Sequence, residues 1–197
     1  MDSGVEELVV EDGVESIPQS AFYGCQKLRY VSLPESLKEF GRYGAVFVDC
    51  PELVRVDVDK DNEYYYSNGQ VLVDKRTKTI IDGWGTEICN AADFPKELLP
   101  TRIGDNAFRK HSLLRYVILP STIESVGDGA FSGCKSLRQL NCHAVVPPVL
   151  GKDVFKHDEV NGIVITPLQE MLNVYVPDEA YEAYRNAPGW KDFKNIR

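Results

Sequence analysis

A chain of 197 residues, 43 % hydrophobic and 26 % charged, has the composition of a folded globular protein of one large domain or two small ones. Its net charge of −8 excludes the basic face that a nucleic-acid binder, or a protein held on anionic lipid by charge, would need. No apolar run approaches membrane-spanning length, and the opening MDSGVEELVV lacks the basic start and apolar core of a secretory signal.

In chain order, VEELVV from Val5 to Val10 has the spacing of a short strand. The next stretch sets a template, I-x-x-x-A-F-x-x-C-x-x-L-x-x-V-x-L-P-x-x-[LI], with Ile17, Ala21, Phe22, Cys25, Leu28, Val31, Leu33, Pro34 and Leu37. Phe47, Cys50, Leu53, Val56 and Val58 repeat it in degenerate form. CNAADF, from Cys89 to Phe94, fits the strand part again. A full copy follows with Ile103, Ala107, Phe108, Leu114, Val117, Leu119 and Pro120, with His111 in the Cys slot. Val126, Ala130, Phe131, Cys134, Leu137, Leu140 and Cys142 make the next, and Val154-Phe155 with MLNVYVP, Met171 to Pro177, make the last. The seven strand segments are spaced 23, 25, 36, 25, 23 and 34 residues apart, so two repeats carry insertions.

The first insertion, 59–82, contains the Asn68-Gly69 turn signal and a second turn at DKRTK. It predicts a three-stranded β-meander, Tyr64–Tyr66, Val71–Val73 and Thr79–Ile81, projecting from the stack. The second insertion, 156–170, is polar at its start and turns at Asn161-Gly162. In the final segment, 177–197, Pro177, Asp178 and Glu179 suit a helix start and Pro188-Gly189 a stop. Its Tyr181, Tyr184, Trp190 and Phe193 are expected to close the end of the core.

One such unit cannot bury its own apolar face, so stacked units sharing a core are expected: an α/β repeat solenoid, one domain over 1–197. V-x-L forms a parallel strand on one face, and A-F-x-x-C-x-x-L forms a short helix or tight turn on the other. Phe22, Phe108 and Phe131 should be buried and stacked. The five cysteines occupy apolar repeat positions and read as a reduced core ladder, with a Cys25–Cys50 bridge as the alternative.

The segments SIPQSAFYGCQKLRYVSLP, RIGDNAFRKHSLLRYVILP and SVGDGAFSGCKSLRQL resemble the BspA-type leucine-rich repeats of bacterial surface proteins, and the C-terminal VPDEAYEAYRNAPGWKDFKNIR resembles the cap of such proteins. The resemblance implies a right-handed leucine-rich-repeat solenoid, display outside the cell or on its surface after removal of a leader, and an adhesive or ligand-binding role. It implies no catalytic residue and no cofactor.

The residues themselves point the same way. His111, His143 and His157 are scattered, and no nucleophile, metalloprotease or phosphate-loop motif is present. Asp57, Asp59, Asp61 and Glu63 alternate like the start of a calcium loop, but Asn62 and Asn68 stand where that loop needs Gly and Glu, so a strand end and turn is the favoured reading. The better functional surface is the outward side of the strands, with Tyr30, Arg55, Asp57, Tyr116, Ile118, Gln139 and Tyr175 as ligand contacts. In that reading Tyr30 and Tyr116 share one sheet, about 14 Å apart, with Arg55 and Ala91 between them. Tyr64, Tyr65 and Tyr66 form a second candidate patch, with packing of alternate tyrosines between the meander and the solenoid as the alternative. The expected partner is a protein or glycan on another surface, with no nucleic acid and no membrane insertion. A spacer without its own ligand is the alternative.

Overall fold

The computed structural model describes residues 4–41, 46–84, 87–88 (backbone), 92, 94–156 and 168–197. The chain winds as a β-solenoid of about seven turns. Its front carries β1 (Glu7–Val9), β3 (Tyr30–Leu33) and β5 (Arg55–Val58) in one parallel sheet. A second parallel sheet holds β9 (Glu87–Ile88), β11 (Tyr116–Leu119), β13 (Gln139–Cys142), β15 (Asn173–Tyr175) and β16 (Asn195–Ile196). The register is one coil: Tyr30 pairs with Arg55, and Tyr116 with Gln139. The V-x-L rule holds, since Val31 and Leu33 are buried while Tyr30 and Ser32 face out.

A lateral wall is absent from the sequence reading. It is built from β2 (Ser16–Ile17) with β4 (Glu39–Phe40), and from β10 (Arg102–Ile103), β12 (Ser125–Val126) and β14 (Val149–Leu150). Between β10, β12 and β14 the I-G-D and V-G-D triplets reinforce it. Asp105 Oδ1 accepts from Asp128 N at 3.0 Å, and Asp128 Oδ1 from Lys152 N at 2.7 Å. A Cβ on Gly127 or Gly151 would lie 2.3 or 2.4 Å from those carboxylate oxygens, so these two coils need glycine where the carboxylate of the coil before rises into them.

The back of each coil is a turn, which corrects the α/β expectation. The α-helices among the described residues are short and lie late in the chain: α1 (Leu168–Met171) and α2 (Tyr181–Asn186). The reason is local. Left-handed residues recur four apart around each Ala-Phe: Ser20 and Gly24, Asn106 and Lys110, Gly129 and Gly133, with φ between 58° and 76°. Two such residues per turn forbid a helix. The turns instead form rungs, with Phe108 N donating to Ala130 O and Phe131 N to Val154 O, both at 2.9 Å. Their rings stack, Phe108 on Phe131 at 5.2 Å and Phe131 on Phe155 at 5.6 Å. The cysteine slot has a second use, since the Cys134 thiol donates to Phe108 O and the Cys50 thiol to Phe22 O, both at 3.0 Å. Cys25, Cys50, Cys134 and Cys142 are not joined by disulfides, so no Cys25–Cys50 bridge forms; Cys89 lies outside the described residues. Phe22 stacks on Phe47 at 5.4 Å but is half-buried.

The meander departs most from expectation. β6 (Tyr65–Ser67), β7 (Val71–Asp74) and β8 (Thr79–Gly83) are antiparallel neighbours, and β8 pairs in parallel with β10. They do not project. Val71, Val73 and Ile80 pack into one core with Phe108, while Leu72, Tyr65 and Trp84 pack into a second with Phe47. The hairpin is a wall buried on both faces. The continuous apolar runs Val71-Leu72-Val73 and Ile80-Ile81 are the pattern such burial requires.

Two polar anchors hold the wall. Asn62, 1 % exposed, donates through Nδ2 to the carbonyls of Pro34, Glu35 and Leu37 at 2.9–3.1 Å. Its Oδ1 accepts from Tyr64 N and Tyr65 N at 2.9 and 2.7 Å. Asp82, also buried, accepts from Gly83 N at 2.9 Å and from Val46 N and Phe47 N at 3.3 and 3.5 Å. Gly83 then clears the way for Phe108, whose ring edge would lie 2.1 Å from a Cβ there. Trp84 meets Phe47 edge-on at 6.1 Å and donates its indole N–H to Gly69 O.

Beyond the wall, β9 sits at Glu87–Ile88, ahead of the strand expected at Cys89–Phe94, because its register with Tyr116 and Val117 is set by β11. Ala91 and Asp93 lie outside the described residues, as do 157–167 of the second insertion. Tyr184, Trp190 and Phe193 close the far end of the core as expected, with Tyr181 half-buried beside them. The strand β16 that follows them has no counterpart in the repeat pattern.

Three outcomes follow. Asn62→Ala leaves several buried backbone groups unpaired and should destabilise by about 3 kcal/mol, read as a lower urea midpoint. Gly83→Ala should unseat Phe108 and cost about 2 kcal/mol in the same measurement. Burial raises the Asp82 carboxyl from 3.8 to about 7, so from about pH 4 to about pH 7 the folded chain holds a proton that the unfolded chain has released. That contribution to stability falls as pH rises through the window and is flat above it. Asp82→Asn should gain on the wild type between about pH 4 and about pH 8, and equal pH dependence in the two proteins would remove Asp82 as the cause.

Candidate interaction surface

The outward strand residues fall on two separate sheets, because β5 is followed by the meander, whose Gly69 bridges to Val56. Tyr30, Arg55 and Asp57 lie on β3 and β5; Tyr116, Ile118, Gln139 and Tyr175 lie on β11, β13 and β15. Tyr30 and Tyr116 therefore do not share a sheet, and the expected three-strand spacing between them is replaced by the buried wall.

The first group is charged. Arg55 Nε sits 2.7 and 2.9 Å from the Asp57 carboxylate oxygens, so the two side chains engage each other, and both are well exposed. Tyr30 beside them is 43 % exposed, with the Arg29 guanidinium 5.5 Å from its ring centre.

The second group is uncharged. Tyr116 pairs in register with Gln139, and Gln139 with Asn173; Ile118 pairs with Asn141, and Asn141 with Tyr175. Tyr116 is 42 % and Tyr175 38 % exposed, while Ile118, Gln139, Asn141 and Asn173 are half-buried. Gln139 Nε2 donates to Asn141 Oδ1 at 2.9 Å, which orients both amides. Strand spacing puts the two tyrosines about 12 Å apart. Two phenol rings thus frame a strip of amides and one isoleucine.

The Tyr64–Tyr66 patch dissolves. Tyr65 is 2 % exposed, its hydroxyl donating to Lys38 O at 3.1 Å and accepting from Arg76 Nη2 at 3.2 Å. Tyr64 and Tyr66 are half-buried, and Arg76 lies 5.0 Å over the Tyr64 ring. The acidic stretch is also structural: Asp59 Oδ1 caps Asp61 N at 2.9 Å, and Asn62 is turned inward. Among the described residues no group of three or more His, Cys, Asp or Glu side chains converges to hold a metal ion.

The reactive groups His111 and Cys50 are half-buried and muted. Burial lowers the His111 imidazole to about 4 and raises the Cys50 thiol to about 12, so the first is neutral and the second protonated near neutrality. In a groove beside β4 and β10 each lining cation has an acidic partner, Lys38 with Glu15 at 2.5 Å, Arg76 with Asp74 at 2.6 Å and Arg102 with Asp105 at 3.3 Å.

Among solved structures, a leucine-rich repeat protein from Eubacterium ventriosum is 14 % identical and matches 95 % of this chain and 53 % of its own, with a TM-score of 0.56. A leucine-rich repeat protein from Bacteroides ovatus is 23 % identical, with 98 % and 42 % covered and a TM-score of 0.51. This chain thus spans about half the length of each. A comparison with curated proteins finds no match. The model of the BspA type leucine rich repeat region matches six copies, over residues 1–69 and 90–174. With its strand registers, stacked phenylalanines and these matches together, the chain belongs to the BspA-type leucine-rich-repeat family.

Proposed function

We propose that this chain is a non-catalytic interaction module, displayed at or outside the cell surface, that holds a protein or glycan against the sheet of β11, β13 and β15. Surface display rests on the family resemblance. The binding face rests on one observation: in a chain with 26 % charged residues, the strip Tyr116, Ile118, Gln139, Asn141, Asn173 and Tyr175 carries no charge and leaves two aromatic rings in solvent. Aromatic anchors with few charges are what the centre of an interface needs. A rigid stacked scaffold supports the strip, so little ordering entropy opposes binding.

The test is a glycan and protein array probed with the wild type and with a Tyr116→Ala/Tyr175→Ala variant. Affinity for any ligand found should fall about 10- to 100-fold in the variant. Its stability should change by less than about 1 kcal/mol, because both rings are half-exposed. An unchanged affinity would move the site off this face. An array with no ligand would leave the chain as a spacer.

A further inference from the structure

The coil sets which strand residues face outward, but not what fills those positions. On β3 and β5 they hold Tyr30 and Ser32, then Arg55 and Asp57. On the second sheet the same positions form one row of Tyr116, Gln139, Asn173 and Asn195, and a shorter row of Ile118, Asn141 and Tyr175. Four carboxamides thus lie side by side, flanked by two phenol rings. Gln139 Nε2 donates to Asn141 Oδ1 at 2.9 Å, and Asn195 Nδ2 to Glu170 O at 3.3 Å, so the fold orients three of the four amides. Gln139 Oε1, Asn141 Nδ2, Asn195 Oδ1 and the whole Asn173 amide have no hydrogen-bond partner among the described residues.

The strip is small, and charges bound it without entering it. With strands about 4.8 Å apart and residues rising about 3.3 Å, its two rows cover about 14 Å by about 7 Å. That is about 100 Å², against about 800 Å² on each side of a standard protein interface. Glu87 pairs with Tyr116 at one margin, and Arg197 follows β16 beyond Tyr175 at the other. Among the cations that precede the first row, Arg138 donates through Nη1 to Lys135 O and Leu137 O of its own turn at 2.9 and 2.8 Å. Lys194 sits 3.0 Å from Glu170, while Arg115 has no ion pair among the described residues.

We infer that the strip holds a short run of uncharged sugars. The inference rests on the reading of this sheet as a binding face and names its ligand. A pyranose carries C–H groups on its faces and hydroxyls around its rim. The faces suit the half-exposed rings of Tyr116 and Tyr175, which are apolar bodies with a polar tip. Each hydroxyl both donates and accepts, as a carboxamide does, so neighbouring hydroxyls and neighbouring amides satisfy each other without taking a charge out of water. The rings stand about 12 Å apart, so one sugar on each leaves room for a further unit over the amides. The Gln139–Asn141 bond holds its amides in place before the ligand arrives, which lowers the ordering cost.

The probe is a set of linear tri- and tetrasaccharides of hexose and N-acetylhexosamine, each beside a sulfated counterpart, observed by saturation-transfer NMR. An uncharged member should bind, with transfer strongest at C–H protons on one face of its rings. Its Kd should change less than about two-fold between about 0.05 and about 0.5 M salt, because no charge contacts it. Gln139→Ala/Asn173→Ala and Tyr116→Ala/Tyr175→Ala should each weaken binding about ten-fold or more, with the thermal midpoint retained as a check on folding. Tyr116→Phe/Tyr175→Phe keeps both rings and should bind as the wild type does. No transfer to any uncharged member overturns the inference; the reading of this sheet as a binding face then stands on a protein ligand lost with the two tyrosines. Binding undiminished in both alanine variants overturns the inference and that reading together. A preference for the sulfated counterparts that Arg115→Ala abolishes overturns the inference alone, since a cation at the margin would then select the ligand.

Discussion

A coil of this kind has apolar residues that it cannot cover alone, and the wall of β7 and β8 meets that need for the two halves of the molecule at once. Leu72 and Trp84 face one core; Val71, Val73 and Ile80 face the other. On one side Phe22 and Phe47 stack, and on the other Phe108, Phe131 and Phe155. Between Phe47 and Phe108 the ladder of rings is interrupted. Trp84 takes the contact with Phe47, and Gly83 gives Phe108 room against the wall. The insertion thus stands in for a coil and continues the stack by other means.

Polar groups make that join specific. In the regular coils a back-turn amide finds the carbonyl of the next coil, as Phe108 does with Ala130. At the join Phe47 N meets the Asp82 carboxylate instead. A carboxylate is an adaptable acceptor, but here it is buried, and its raised pKa records what removing it from water costs. Asn62 serves the other margin without charge, which is the less costly way to satisfy buried backbone groups. The same division separates the front surface into a charged group around Arg55 and Asp57 and an uncharged strip around Gln139 and Asn141.

Much of this was legible in the chain itself. The repeated A-F-x-x-C and V-x-L-P spacing determined the coil length, the inward residues of each strand and the stacking of the phenylalanines, because those depend on alternation and on contacts one coil away. The aromatic closure by Tyr184, Trp190 and Phe193 was equally visible, since the last coil must be covered. The same spacing placed Tyr116, Ile118, Gln139 and Tyr175 on the outward face, and β11, β13 and β15 carry them there.

Tertiary structure alone decided the rest. A pattern of apolar residues tells that a strand is buried but not what lies on each side, so Val71-Leu72-Val73 gave no sign that its two faces belong to different cores. That placement splits the front into two sheets, parts Tyr30 from Tyr116, and turns Tyr65 from a surface residue into a core one. The lateral strands are two residues long, too short for any periodicity, and exist because backbone amides reach carbonyls one coil away, as Gly127 N does Ile103 O, with carboxylates such as Asp105 adding to those bonds. The back turns have the spacing of a helix but the torsions of Ser20, Asn106 and Lys110 are left-handed, a choice made by bonds to the neighbouring coil. Local spacing determined which residues face inward, and contacts distant in sequence determined what they meet there.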